Sequence, residues 1–275
     1  MTRFLIRCSH AAGLRRSSTA ALLLFAAGSV LAQPPQSAPR APSSPYGAGA
    51  EGAALVIRNA ADALGMVRGL GPRETLDAIN RLQFTAEGTE KKSRVRVTVA
   101  ISLHQEAVRI DKISQEDGKT YRRVQVVAEN RAWDEKTPGI DPTPAPSQAK
   151  QRRLYLAMLP QGFLRTVLTA PSKEVEVVGN GAGATISLPY QGMRLRATLD
   201  ADYRPAKIQA VQSSRVVAEM DFENYKDFDE YEVFFPSRIV EKRNGTIVSD
   251  LKVTEFHTAP YVVFDVPPDA ASSSK

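Results

Sequence analysis

Between Met193 and Phe256 the sequence reads as one strand after another, and this run limits the fold more than any other stretch. Met193, Leu195, Ala197 and Leu199 alternate with Arg194, Arg196, Thr198 and Asp200, the period of a strand with one buried face. Arg215–Phe222, Tyr231–Lys242 and Thr246–Phe256 follow. Asn244-Gly245, between the last two, accepts the positive φ angles of a type I′ hairpin. Antiparallel strands with one apolar face need something to cover that face.

A matching block lies upstream. Leu82, Phe84 and Ala86 alternate, and Val95, Val97, Val99, Ile101 and Leu103 alternate with Arg94, Arg96, Thr98, Ala100 and Ser102. Ala107–Ile113 and Arg122–Ala128 read as further strands, with Asp117-Gly118 as the turn between them, and Trp133 ends the block. Helical spacing predicts a helix over Glu51–Leu64 with Gly65 as its cap, and a second short one over Pro72–Ile79.

Between the blocks, Thr137–Ser147 carries four prolines and is an irregular loop. It leads into a helical pair over Gln148–Leu159 and Phe163–Leu168 whose apolar content exceeds that of a solvent-facing helix. Neither block can cover its own apolar face, so one domain over 51–267 is expected. The fold class is α+β, mostly β: a single strongly curved antiparallel sheet, an unclosed barrel, with helices over the concave face.

The N-terminus is processing material. Arg3, Arg7, Arg15 and Arg16 precede the apolar run Ala20–Ala27, and Val30-Leu-Ala32 forms a cleavage site, which predicts a signal peptide over 1–32. The apolar run is too short for a membrane anchor. Cys8 precedes it, so it is no lipobox cysteine, and the mature chain has no disulfide, thiol nucleophile or cysteine metal ligand. Removing four arginines from a net charge of +6 leaves about +2, which weakens any bulk-charge case for nucleic acid. Residues 33–50, rich in Pro, Ala and Ser, read as a disordered tether, and 268–275 as a flexible tail.

The order of elements, with Ala63-Leu-Gly65, Leu82-Gln-Phe-Thr-Ala-Glu-Gly88, Arg131-Ala-Trp-Asp134, Leu159-Pro-Gln-Gly-Phe-Leu164, Leu199-Asp-Ala-Asp-Tyr-Arg-Pro205 and Phe234-Phe-Pro-Ser-Arg-Ile239, resembles exported bacterial proteins of the outer-membrane lipoprotein carrier superfamily, the LolA/LolB-like half-barrels. The resemblance covers Glu51–Pro267. It implies an unclosed barrel with a helical lid and an apolar cavity that holds acyl chains; together with the signal peptide, a non-enzymatic periplasmic binding protein is the leading expectation.

The candidate cavity residues are Phe84, Val97, Val99, Ile101, Trp133, Phe163, Met193 and Leu195. The competing reading of the same residues is a filled core, in an envelope scaffold module whose edges or Pro-rich segments dock a protein. Arg94, Arg96, Arg122, Arg123, Arg194 and Arg196 are assigned to the outer face, where they protect strand edges, with anionic headgroups as the functional alternative. Asp221, Glu223, Asp227, Asp229 and Glu230 lack the pattern of a calcium loop and read as a solvated turn. His104 and His257 stand alone, and Ser102 has no acidic residue in sequence to complete a triad with His104. Gly179–Gly183 precedes a strand, so it is a turn and not a phosphate loop. No metal, cofactor or catalytic residue is expected. The expected partners are lipid or lipoprotein acyl chains, with no nucleic acid and peripheral membrane contact at most.

Overall fold

The computed structural model describes residues 50–267. The segments expected from sequence to be a signal peptide, a tether (up to residue 49) and a C-terminal tail lie outside the described residues. Helix α1 (Ala50–Ala63) enters first. The helix expected over Pro72–Ile79 is reduced to a single 3-10 turn, Gly71–Arg73. The amides of Arg68 and Thr75 donate to each other's carbonyls (2.9 and 2.7 Å), and this pinch closes a loop where helical bonding would have continued.

Six strands come next: β1 (Arg81–Glu90), β2 (Ser93–Ser102), β3 (Ala107–Glu116), β4 (Lys119–Ala128), β5 (Arg131–Glu135) and β6 (Thr143–Pro144). Helices α2 (Ala149–Ala157) and α3 (Pro160–Thr169) interrupt the strands. The chain then forms β7 (Glu176–Val178), β8 (Thr185–Tyr190), β9 (Met193–Leu199), β10 (Pro205–Gln212), β11 (Arg215–Asp227), β12 (Phe234–Arg243) and β13 (Thr246–Thr258). The Asp117-Gly118 and Asn244-Gly245 turns have both residues at positive φ, as hairpins of this type require.

All thirteen strands form one antiparallel sheet in the order β6-β5-β4-β3-β2-β1-β13-β12-β11-β10-β9-β8-β7, and the sheet does not close into a barrel. Strands β1 and β13 join the two blocks at the centre, with Phe84 opposite Phe256. The free edges are β6 and β7, of two and three residues, and β6 ends in a proline. Such short edges give another chain little backbone to pair with. In the chain, α2 and α3 connect one edge to the other.

The register sorts the side chains into two faces. The concave-face core gathers Phe84, Val97, Val99 and Ile101 from the first block and Leu195, Ile208 and Phe222 from the second, under Val56 of α1 and Leu64 just beyond its end, Leu154 and Leu156 of α2, and Phe163 and Leu164 of α3. Phe84, Phe235 and Phe256 stack across the central strands with ring centroids 4.9 and 4.7 Å apart. A second cluster on the opposite face places Trp133 with Val124, Val126 and Ala128 under Val262 and Phe264 of the C-terminal segment.

On the outer surface Arg238 donates to Asp250 (2.9 and 2.8 Å) and to Glu223 (3.0 Å). The bonds from Arg238 hold the Asp250 carboxyl below the ordinary carboxylate range. A depressed folded-state value means that the stabilisation is complete above the unfolded value, about 4, and is lost as pH falls through the folded one. Asp250→Asn is therefore expected to shrink the difference in urea midpoint between neutral and strongly acidic buffer. The pair is partly exposed, so the change is small.

Candidate functional site

The concave face is where the sequence places a ligand, and α2 and α3 decide how much of it is free. Their packing is close. A Cβ on Gly162, at the start of α3, would lie 2.0 Å from the Leu156 carbonyl of α2, so only glycine permits this helix crossing. Polar anchors fix the pair to the sheet. The buried Arg152 donates to the carbonyls of Val126 (2.9 Å) and Trp133 (2.6 Å) and pairs with Asp134. Burial pulls the Arg152 guanidinium below its ordinary value, against the opposing pull of Asp134. Arg153 donates to Glu106 (2.7 Å), Gln161 to the Phe234 carbonyl (2.9 Å), and Arg165 pairs with Asp77.

Beneath the helices the apolar part of the face is filled. Phe84, Val99, Ile101, Phe163 and Leu195 are at most 1% exposed, Val97 is buried, and Met193 packs against this core from its margin. Trp133 has to be removed from the cavity set. Its neighbour Ala132 points into the concave core, and because adjacent strand residues face opposite ways, Trp133 joins the outer cluster. There its indole N–H donates to the buried Glu135 (2.8 Å). Arg109 also donates to Glu135 (3.0 and 3.2 Å), as does the Gly139 amide (2.7 Å). Arg109 in turn donates to the Val263 carbonyl (3.2 Å) and so ties the C-terminal segment down.

A cavity of about 300 Å³ on the concave side lies at the end where β1 turns into β2 and where α2 begins. Its floor is Val97, Ile110 and Leu251, and of the eight cavity residues expected from sequence only Val97 borders it. Its wall is polar, with Lys112, Arg123, Gln125, Tyr155, Glu241 and Arg243 among the lining residues. Lys112 pairs with Glu90, and Arg243 with Glu241 (2.6 Å). Burial, with the carboxylates of Glu241 and Glu90 nearby, pushes the Tyr155 hydroxyl well above the ordinary phenol range.

Arg123 is a second correction, because the sequence reading put it on the outer face. Arg122 and Arg123 are consecutive in a strand and must diverge. Arg122 pairs outward with Asp111 (2.9 Å), and Arg123, opposite Lys112 in the register, turns into the cavity.

The remaining candidates resolve into structural contacts. His104 does have an acidic neighbour, Asp77 (3.1 Å), which the fold brings from the loop before β1, while Ser102 lies against Asn80 (3.4 Å) instead of the histidine. Four of the five residues of the acidic cluster are engaged in pairing and turns. Asp221 pairs with Lys207 and Lys242, Glu223 with Arg238, Asp227 accepts from the Glu232 amide, and Asp229 accepts from Thr258. Among the described residues no group of three or more His, Cys, Asp or Glu is placed to hold a metal, and no helix is long and apolar enough to cross a membrane.

No family model and no curated protein matches the sequence. Solved structures similar to it include a Vibrio parahaemolyticus domain named for outer membrane lipoprotein sorting, at 13% identity and TM-score 0.46 over 78% of this chain and 95% of that one. A LolA superfamily protein from Nitrosomonas europaea is similar at 12% identity and TM-score 0.40, over 78% and 96% of the two chains. An uncharacterized conserved protein from Thermus thermophilus is similar at 13% identity and TM-score 0.33, over 79% and 96%.

Proposed function

We propose that this chain is an exported periplasmic binding protein, not a catalyst, which takes acyl chains of a lipid or lipoprotein against the concave face of its half-barrel with α2 and α3 as the cover. The observation that supports this reading is the concave cavity, which runs from a charged rim to the apolar floor of Val97, Ile110 and Leu251. That floor is continuous with the core under the helices. The helices join no β-ladder, so moving them would expose apolar side chains without breaking a strand pairing. At about 0.8 kcal/mol per buried CH₂, eight methylenes would supply roughly 6 kcal/mol toward that displacement.

Native mass spectrometry and lipid extraction of the mature protein from its own periplasm test the reading, together with titration of a fluorescent fatty acid. A lipid adduct and saturable uptake are expected. A clean apo mass with no uptake overturns it. A second reading, an envelope interaction module with a filled core, is favoured by the complete burial of Phe84, Val99 and Phe163 in this conformation, and it expects that negative result.

A further inference from the structure

We propose that the charged end of the concave cavity is a headgroup subsite for a phosphate ester bearing hydroxyl groups, of the phosphoglycerol or sugar-phosphate kind. This rests on the lipid-binding reading for the chain that would follow the phosphate. The inward-facing positions of the first block change character along their strands. On β3 they pass from Val108 through Ile110 to Lys112, and on β4 from Val127 through Gln125 to Arg123, so one surface is apolar at the core end and cationic at the cavity.

The charges around the cavity do not cancel. Five cations and two carboxylates line it, and Asp134, just behind the wall, adds one more carboxylate. Most cations are committed: Lys112 to Glu90, Arg243 to Glu241 and Arg152 to Asp134. Arg123 meets Asp134 only at 3.6 Å, on a carboxylate that Arg152 already holds, and its side chain is 60% exposed. It is the guanidinium left to fork onto an incoming anion, the geometry that phosphate oxygens suit.

The rest of the wall is rich in neutral hydrogen-bonding groups. The amides of Gln125, Gln148 and Gln151 and the hydroxyls of Tyr155 and Ser249 border the same space. Amides and hydroxyls both donate and accept, as sugar or glycerol hydroxyls require. A fatty-acid carboxylate would leave most of them unused. A choline headgroup calls for an aromatic cage, and Tyr155 is the single aromatic residue on this wall. A volume of about 300 Å³ is at the small end for ligand sites, which fits a headgroup and not a long chain.

Isothermal titration of the mature protein with dihexanoylphosphatidylglycerol, dihexanoylphosphatidylcholine, glycerol 3-phosphate and inorganic phosphate tests the subsite. The glycerol lipid is expected to bind saturably, with the choline lipid weaker by about tenfold, and Arg123→Gln to cost the glycerol lipid about tenfold, as loss of a charge-assisted hydrogen bond does. Gln151→Leu provides a second variant that leaves the charge intact, and it is expected to weaken glycerol 3-phosphate but not inorganic phosphate. Glycerol 3-phosphate binding as tightly as the lipid supports the subsite, assigns it to free phosphate esters and sinks the lipid reading. Fatty-acid uptake that glycerol 3-phosphate does not compete for, with no headgroup preference and no effect of Arg123→Gln, overturns the subsite and leaves the lipid reading standing. Absence of binding by all four probes also overturns it.

Discussion

Trp133→Ala is expected to lower stability by about 3–5 kcal/mol, the range for deleting a fully buried large aromatic side chain. For a domain of this size that is roughly 10–15 °C in the unfolding midpoint. Two losses combine. The indole leaves a cavity among Val124, Val126, Val262 and Phe264, and the buried Glu135 carboxylate loses one of its donors. Arg109 and the Gly139 amide remain on Glu135, so the charge is not stranded, and the packing loss dominates. Because Trp133 faces away from the concave core, ligand binding on that side should be unchanged at temperatures where the variant is folded. Calorimetry paired with fatty-acid titration checks both parts. A variant that keeps its midpoint but loses binding would return Trp133 to the cavity.

Gly88→Val is the second large effect, about 3 kcal/mol or more, at the severe end of overpacking. Gly88 lies opposite Leu251 where β1 meets β13, and a Cβ there would sit 2.0 Å from the Asp250 carbonyl oxygen. A carbonyl in a central ladder has no room to retreat, so the strands must part locally. Asp250 also carries the ion pair with Arg238, which the same shift would loosen. Amide exchange should rise in both β1 and β13, at the centre of the sheet, while β8 and β9 keep their protection. Equal loss in all strands would mean that the sheet opens as a unit and not at this pairing.

The sheet was legible because its strands alternate. Val95 to Ile101 and Met193 to Leu199 announce one buried face each, and the structure brings both into the same core. The helical pair was legible from surplus apolar residues, which had to pack somewhere. What failed were short or doubly apolar segments, where parity gives no answer. In β4, Val124, Val126 and Val127 are all buried because each face has a cover, so alternation vanishes at the strand that fixes the parity of Trp133. The clue lay at the far end of the chain, where Val262 and Phe264 alternate with Val263 and Asp265 as a cover for the outer face would. Arg122 and Arg123 look alike in sequence, but neighbours in a strand cannot share a face. The cavity itself could not be read, since its wall comes from β1, β3, β4, β12, β13 and α2, brought together only by the folded sheet.

The pairing of β1 with β13 has one more consequence, which concerns time. Leu82 faces Thr258, so the central ladder joins residues near opposite ends of the described chain. Contacts so distant in sequence carry a large loop-closure cost before they return anything, and they slow folding. Until Thr258 has emerged, β1 has a partner on one side only, and the aromatic stack of Phe84, Phe235 and Phe256 cannot assemble. A chain with this connectivity cannot finish its core early and stays unlocked until its last strand arrives. That delay would suit the export proposed above, in which a polypeptide is threaded unfolded across a membrane before it folds.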